Sequence, residues 1–352
     1  MKRYITGISF LVIIFALMIL NIIAPDKEIS EFQKRKLQKF PQISFANYLN
    51  GQFSNELDIY VKDQEIFSEK LSGIVSYINY NIFCKIENRN IVKNNKSLYE
   101  NIKLNEFNIN DFNNNIMKLM INFHKNKQYT VILPDKSFYL NDEFIHLDNE
   151  AFNKLKFKFI DYSKILDASD FYKTDIHITN EGSYKIYLQL KKEMNLIEDY
   201  NTQFISVSDN FLGYYAIKSM YTDIKDKILK PSNEIINQLK VTYLDNDGEY
   251  KTHNSCYFSE HLNTYDQYSF NLNGNKPVTI IENEVFDNNR ELVIIKDSYG
   301  LSIAPYLAQH YKKVTMLDLR MMPMDFVKNY INNETEILYY YGFKSVNDGK
   351  MF

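Results

Sequence analysis

The stretch Glu291-Leu-Val-Ile-Ile-Lys-Asp-Ser-Tyr-Gly300, near the C-terminus, decides the reading of this chain. Leu292 to Ile295 is strand-like, Lys296 and Asp297 begin a polar turn, and Ser298 follows at once. Ser302 to Tyr311 then reads as a helix. A serine carried on a strand-to-helix turn has an exposed hydroxyl, and the helix start offers backbone N–H groups to a developing oxyanion. Asp-Ser is a common dipeptide, so the stretch alone specifies little. Its complement lies upstream in Thr174-Asp-Ile-His-Ile-Thr179. A serine hydroxyl needs a base, and the base needs a fixed tautomer. Asp175 and His177 are two apart, so in an extended segment both point the same way. Ser298, His177 and Asp175 are therefore a candidate nucleophile, base and orienting acid.

The surrounding pattern supplies a frame. Downstream of the serine come a strand at Val314–Leu317, a helix at Asp325–Ile331 and a strand at Glu336–Tyr341. Upstream, Asn110–Lys127 has helical spacing at Phe112, Ile116, Leu119, Met120 and Phe123. It leads into a buried strand, Tyr129–Leu133, closed by Pro134. Helices follow at Glu150–Asp161 and at Asn180–Met194, the latter with Tyr184, Tyr187, Leu188 and Leu190 facing inward. Helices alternating with strands predict a three-layer α/β domain, whose functional groups gather at the carboxyl ends of its strands. Residues 200–290 break the alternation. Turn clusters such as Asp245-Asn-Asp-Gly248 separate short Tyr- and Phe-rich runs, the pattern of an antiparallel β-rich insertion.

The N-terminus has a different character. Tyr4 to Ala24 carries no charge and follows Lys2 and Arg3. At about 1.5 Å per residue, a helix of this length spans roughly 31 Å, the thickness of bilayer hydrocarbon. A cleaved signal peptide and a retained anchor are both open. The length of the run, the lack of a small-x-small site and Pro25 favour the anchor. Lys2 and Arg3 then stay inside and the rest of the chain faces outward. The basic segment Ile29–Pro41 suits either anionic headgroups or a solvated linker. From Asn50 an amphipathic helix begins, with Phe53, Leu57, Tyr60 and Val61 on an apolar face expected to be core.

A net charge of −3 and a pI near 6.1 give no global basic field and argue against nucleic acid. The 28 tyrosines suit a carbohydrate surface, although a bias toward Asn, Lys, Ile and Tyr explains them more simply. Six scattered histidines and two cysteines have no metal-ligand spacing, so neither a metal nor a cofactor is expected. Whether Cys84 and Cys256 pair is open.

Several segments together resemble the extracytoplasmic polysaccharide O-acetyltransferases of SGNH-hydrolase type, the alginate O-acetyltransferase and DHHW families. They are the apolar N-terminus, Phe40-Pro41, Asn50-Gly51-x-Phe53, Leu133-Pro-Asp-Lys-Ser137 and Tyr172-x-Thr-Asp-x-His177. Gly274-Asn275-x-Pro277, Lys296-Asp-Ser-Tyr-Gly300, Pro305 and Leu317-Asp-Leu-Arg320 complete the match. The family's Asp-His-His-Trp reads Asp175-Ile-His-Ile178 here, without the first His and the Trp.

The resemblance implies an SGNH-like three-layer α/β/α fold with permuted motif order, the Asp-x-His segment preceding the serine. The implied organisation is a membrane anchor at 1–25, a juxtamembrane lead-in at 26–110 and a catalytic domain at 111–352 with the β-rich insertion. Ser298 would be the nucleophile, His177 the base and Asp175 its orienting acid. The Ser298 N–H, Asn275, Tyr299 and Arg320 are candidate oxyanion or substrate donors, and Arg320 is equally suited to a structural ion pair. His310 is expected to be surface or core. The implied activity is transfer of acetyl through an acyl-serine to hydroxyls of an exported polysaccharide, with a multipass membrane O-acyltransferase as donor. An acetylesterase using the same residues and a non-catalytic export scaffold are the alternatives.

Overall fold

A computed structural model describes residues 2–30, 35–94, 97–140, 147–286 and 289–349. Part of the basic segment read at 29–41 lies outside the described residues, as do the side chains of Lys2 and Arg3. The chain forms two compact units, Met1–Lys85 and Ile86–Phe352.

The first unit is helical. Lys2–Ile23 is one helix of 22 residues, and its apolar side chains from Ile8 to Ile23 are exposed. Among the described residues, side chains included, no helix is long and apolar enough to cross a membrane. Gln52–Gln64 is helical from the Gly51 N-cap, whose φ of +77° suits glycine. The face expected to be core is only half-buried at Phe53, Leu57 and Tyr60, and Val61 is exposed. Its helical period is real, but among the described residues it is covered only in part, as where the Phe40 ring meets Tyr60 edge-on. Ser68–Tyr77 continues into a π-helical turn at Ile78–Ile82.

The second unit is a mixed α/β fold around an eight-stranded sheet. Across the sheet the strands run Tyr250–His253, Lys240–Leu244, Val278–Glu282, Lys313–Leu317, Glu291–Lys296, Glu336–Gly342, Gln128–Leu133 and Ile160–Asp161. The five from Lys313–Leu317 to Ile160–Asp161 are parallel, and the other three add antiparallel. Alternate side chains of each strand leave by opposite faces. Leu292 and Ile294 of the central strand therefore join one core with Val131, Leu338 and Tyr340. Val293 and Ile295 join another with Ile132, Ile337, Tyr339 and Tyr341. A parallel sheet covered on both faces demands such continuous apolar runs, which is why these strands are legible in the sequence.

The helix Glu106–Asn122 covers the second face through Ile109, Phe112, Ile116 and Leu119, capped by the Asn105 side chain accepting from Asn108 N–H. Asn180–Glu193 and Gly300–Ala308 cover the first. Ile186, Tyr187 and Leu190 are the buried apolar side chains of Asn180–Glu193, whereas Leu188, expected to face inward, is 41% exposed.

Two expectations change. The helix read at Glu150–Asp161 is helical only over Leu147–Asn153. Beyond it Phe157 and Phe159 alternate with lysines and Ile160–Asp161 pairs with Val131 and Ile132, so the two-residue period prevails. In the stretch read as a β-rich insertion, only Gln203–Phe211 and Asp226–Ser232 form a sheet of their own. The later strands extend the central sheet, with Val278 beside Leu317. The unit boundary falls at Lys85/Ile86, and the hairpin strands after it are tied to the second unit by Leu98 N–H donating to the Lys173 carbonyl.

Candidate active site

Two segments meet because two helices start side by side. Asn180–Glu193 packs on Gly300–Ala308, joined by a Ser183–Ser302 hydroxyl hydrogen bond (2.7 Å) and by Tyr306 Oη donating to the Asn180 carbonyl (2.8 Å). The residues just before each start are thereby brought together. Ser298 lies two residues past the central strand, and His177 lies three before the other helix.

His177 Nε2 is 2.8 Å from Ser298 Oγ, and Nδ1 is 2.5 Å from Asp175 Oδ1. An ionised carboxylate only accepts, so Nδ1 carries the proton and Nε2 is left to accept from the serine hydroxyl. Burial acts to raise the Asp175 pKa. The adjacent imidazole and hydrogen bonds from His177 and the Tyr214 N–H outweigh it and hold the carboxyl well below its usual range. Asp175 and His177 do not share an extended segment. The chain bends there, and Asp175 Oδ1 also accepts the His177 backbone N–H at 2.9 Å. A two-residue side-chain turn sets their geometry in place of strand alternation.

This bent loop is held mainly by side chains from elsewhere. Lys136 Nζ, fully buried, donates to the carbonyls of Tyr172, Asp175 and Lys173 at 2.7, 2.9 and 3.2 Å. Burial pushes the Lys136 amine down to about 8, against partial support from Asp226, Asp175 and Asp135. From the other side Asp226 accepts from Lys173 N–H, Thr174 N–H and Thr174 Oγ1. Gly213 leaves room for Asp175, since a Cβ there would lie 2.2 Å from the Asp175 Cβ.

The serine turn is held by its own backbone. Gly300 N–H donates to the Asp297 carbonyl and Leu301 N–H to the Ser298 carbonyl. Asp297, whose pKa burial raises, accepts from Tyr299 N–H (2.9 Å) and Gly342 N–H (2.9 Å). Both donors of Tyr299 are thus spent, its hydroxyl on the Ile176 carbonyl at 2.9 Å. Arg320 grips Asp318 through Nε and Nη2 in a two-pronged ion pair, the structural alternative, which engages two of its five N–H donors. Asn275 follows three consecutive left-handed residues, Leu272, Asn273 and Gly274. Its Oδ1 accepts from the buried Lys296 amine at 2.9 Å. Among the described residues neither the Asn275 amide NH₂ nor the Ser298 N–H has an acceptor. Both are thus open to a ligand oxygen.

Tyr268 was not singled out in the sequence, yet its ring stacks on His177. Lys136 and Asp226 likewise gave no signal of their role. His310 is a core residue, 2.8 Å from Tyr187 Oη and 3.1 Å from Glu198. Cys84 is exposed and Cys256 buried, and both are free. Among the described residues no group of three or more His, Cys, Asp or Glu is placed to hold a metal ion.

The fold defines a class. PatB1 of Bacillus cereus, in a structure bearing a sulfonyl adduct, superposes with a TM-score of 0.59 at 19% identity, over 74% of this chain and 99% of that one. A DHHW family protein from Eubacterium siraeum superposes with a TM-score of 0.54 at 18% identity, over 74% and 96%. The resemblance to the DHHW family therefore holds at the level of the fold. No family model and no curated protein matches the sequence.

Proposed function

We propose that this chain is a membrane-anchored, extracytoplasmic O-acetyltransferase that moves an acetyl group through an acyl-Ser298 intermediate to hydroxyls of an exported polysaccharide. The observation that carries the reading is the continuous hydrogen-bonded chain Ser298–His177–Asp175 at the carboxyl end of the central strand. Its order along the chain suits the permuted SGNH type. In the first half-reaction Ser298 Oγ attacks the acetyl carbonyl while Nε2 of His177 takes the hydroxyl proton. The tetrahedral oxyanion is met by the Ser298 N–H and the Asn275 amide. The leaving group departs with the proton from His177. In the second half-reaction His177 deprotonates a sugar hydroxyl, which attacks the acyl-serine, and His177 returns that proton to Ser298 Oγ as the ester bond breaks.

Cytoplasmic acyl donors do not reach an extracytoplasmic site, so a multipass membrane O-acyltransferase is the proposed donor. The anchor is supported by the charge-free run Tyr4–Ala24 and by the uncovered apolar helix it forms. The test is the acetyl content of surface polymer in native cells expressing wild type or Ser298→Ala. A transferase predicts that acetylation falls in the variant. A rise would identify an esterase, and no change would identify a scaffold.

A further inference from the structure

The stretch Gln267–Asn275 touches both halves of the site. Its Asn275 binds the Lys296 amine, and its Tyr268 lies against the base. The Tyr268 and His177 rings are stacked, with centroids 3.7 Å apart and planes within 7°. The Tyr268 hydroxyl donates to the Ser298 carbonyl at 3.3 Å. Tyr268 is 6% exposed, wedged edge-on against Tyr172.

We propose that Tyr268 is a positioning residue for the acyl-transfer step, an inference that rests on the function proposed above. The His177 backbone is held only by a single bridge, Phe171 to Ile178, with Tyr172 N–H donating to its carbonyl. Its ring meets Tyr299 at an angle, centroids 5.2 Å apart and planes at 57°, so neither that contact nor the hydrogen bond to Asp175 covers a whole face against tilting. A flat ring in van der Waals contact with one whole face removes the tilt and keeps Nε2 on Ser298 Oγ. When Nε2 takes the serine proton, the imidazolium faces the electron-rich side of the tyrosine ring, which favours the charged form. The hydroxyl acts on the other partner. It holds the peptide linking Ser298 to Tyr299 at its carbonyl, while Asp297 holds the same peptide at its N–H. One side chain thus sets base and nucleophile relative to each other. Its ring is the larger contributor, because Leu301 N–H also reaches the Ser298 carbonyl.

The test uses the full-length protein in detergent. The rate at which phenylmethylsulfonyl fluoride labels Ser298 is read by intact mass, beside kcat and KM for p-nitrophenyl acetate. Tyr268→Phe keeps the ring and should label within about threefold of wild type, while Tyr268→Leu should fall about 10²-fold, the cost of misplacing a reacting group by an ångström. The loss should appear in kcat with KM unchanged. Thermal unfolding separates a folded variant from a collapsed one, and Tyr268→Met carries the same test if the leucine variant does not fold. A folded Leu or Met variant labelled at the wild-type rate overturns the proposal, as does a Phe variant as slow as Leu. A wild-type chain that takes no label at Ser298 removes the acyl-transfer reading itself, and the role of Tyr268 with it.

Discussion

The serine turn and the histidine loop are both rigid, but for opposite reasons. Ser298 sits between a strand and a helix, and its peptides are held by backbone hydrogen bonds and by Asp297, one residue away. His177 sits in a loop whose backbone frame is a single bridge, Phe171 to Ile178. It is fixed by Lys136, Asp226 and the Tyr214 N–H, groups at least 36 residues distant in the chain from the loop atoms they hold. A nucleophile held by regular structure tolerates the loss of a neighbouring side chain, whereas a base held by buried charges does not.

Substitutions can break that contrast, and the largest effect is expected at the acid that orients the base. Asp175→Asn leaves the loop shape nearly intact but can present the wrong hydrogen-bonding partner to Nδ1, and kcat should fall about 10⁴-fold. Steady-state kinetics on p-nitrophenyl acetate measure it, and a loss under tenfold would mean that Asp175 does not set the tautomer. Lys136→Met should come next. It strips three carbonyls of a charged donor, and we expect about 3 kcal/mol of stability lost with activity down about 10²-fold, read by urea unfolding and turnover.

Lys136 also predicts a pH dependence. Its folded value of about 8 lies below the ordinary 10.5. Between the two the unfolded chain holds a proton that the folded protein has released, so stability from this group rises with pH across that window. Below about pH 8 the amine is charged in both states and the burial cost is at its fullest. Wild type minus Lys136→Met should therefore gain roughly 1 kcal/mol per pH unit from pH 8 to 10, and a flat difference would contradict the buried-amine account.

Gly213→Ala should cost less, about 10-fold in activity and 1–3 kcal/mol, as its methyl group displaces Asp175. Ser302→Ala, on the serine side, should be smallest. It removes a hydroxyl that accepts from Ser183 and donates to the Tyr299 carbonyl, for about 1 kcal/mol, and leaves turnover within threefold. Equal damage from Ser302→Ala and Lys136→Met would erase the distinction between the two halves.

The same contrast explains what the sequence reveals. Glu291–Gly300 is legible because a strand buried on both faces is apolar without interruption and the serine follows its end. Asp175 and His177 are legible as residue types, but not their bend, because an extended run and a side-chain turn share the spacing. The roles of Lys136, which lies within a segment that carries the resemblance, and of Asp226 are opaque because both act on peptide groups, which carry no residue signature. Gly213 is opaque because what it supplies is space beside Asp175. Tyr268 was hidden among many tyrosines, its significance set by a stacking partner 91 residues upstream. Arg320 and Tyr299 were legible as donors, but only contacts reveal that Asp318 takes two of the Arg320 donors and that Asp297 and the Ile176 carbonyl take both donors of Tyr299.

The most direct test of the central claim is the mass of the intact protein after brief exposure to p-nitrophenyl acetate, in wild type, Ser298→Ala and His177→Ala. The account predicts a gain of about 42 Da, one acetyl, in wild type and none in either variant, since the nucleophile needs its base. An acetyl adduct that persists in Ser298→Ala would contradict it.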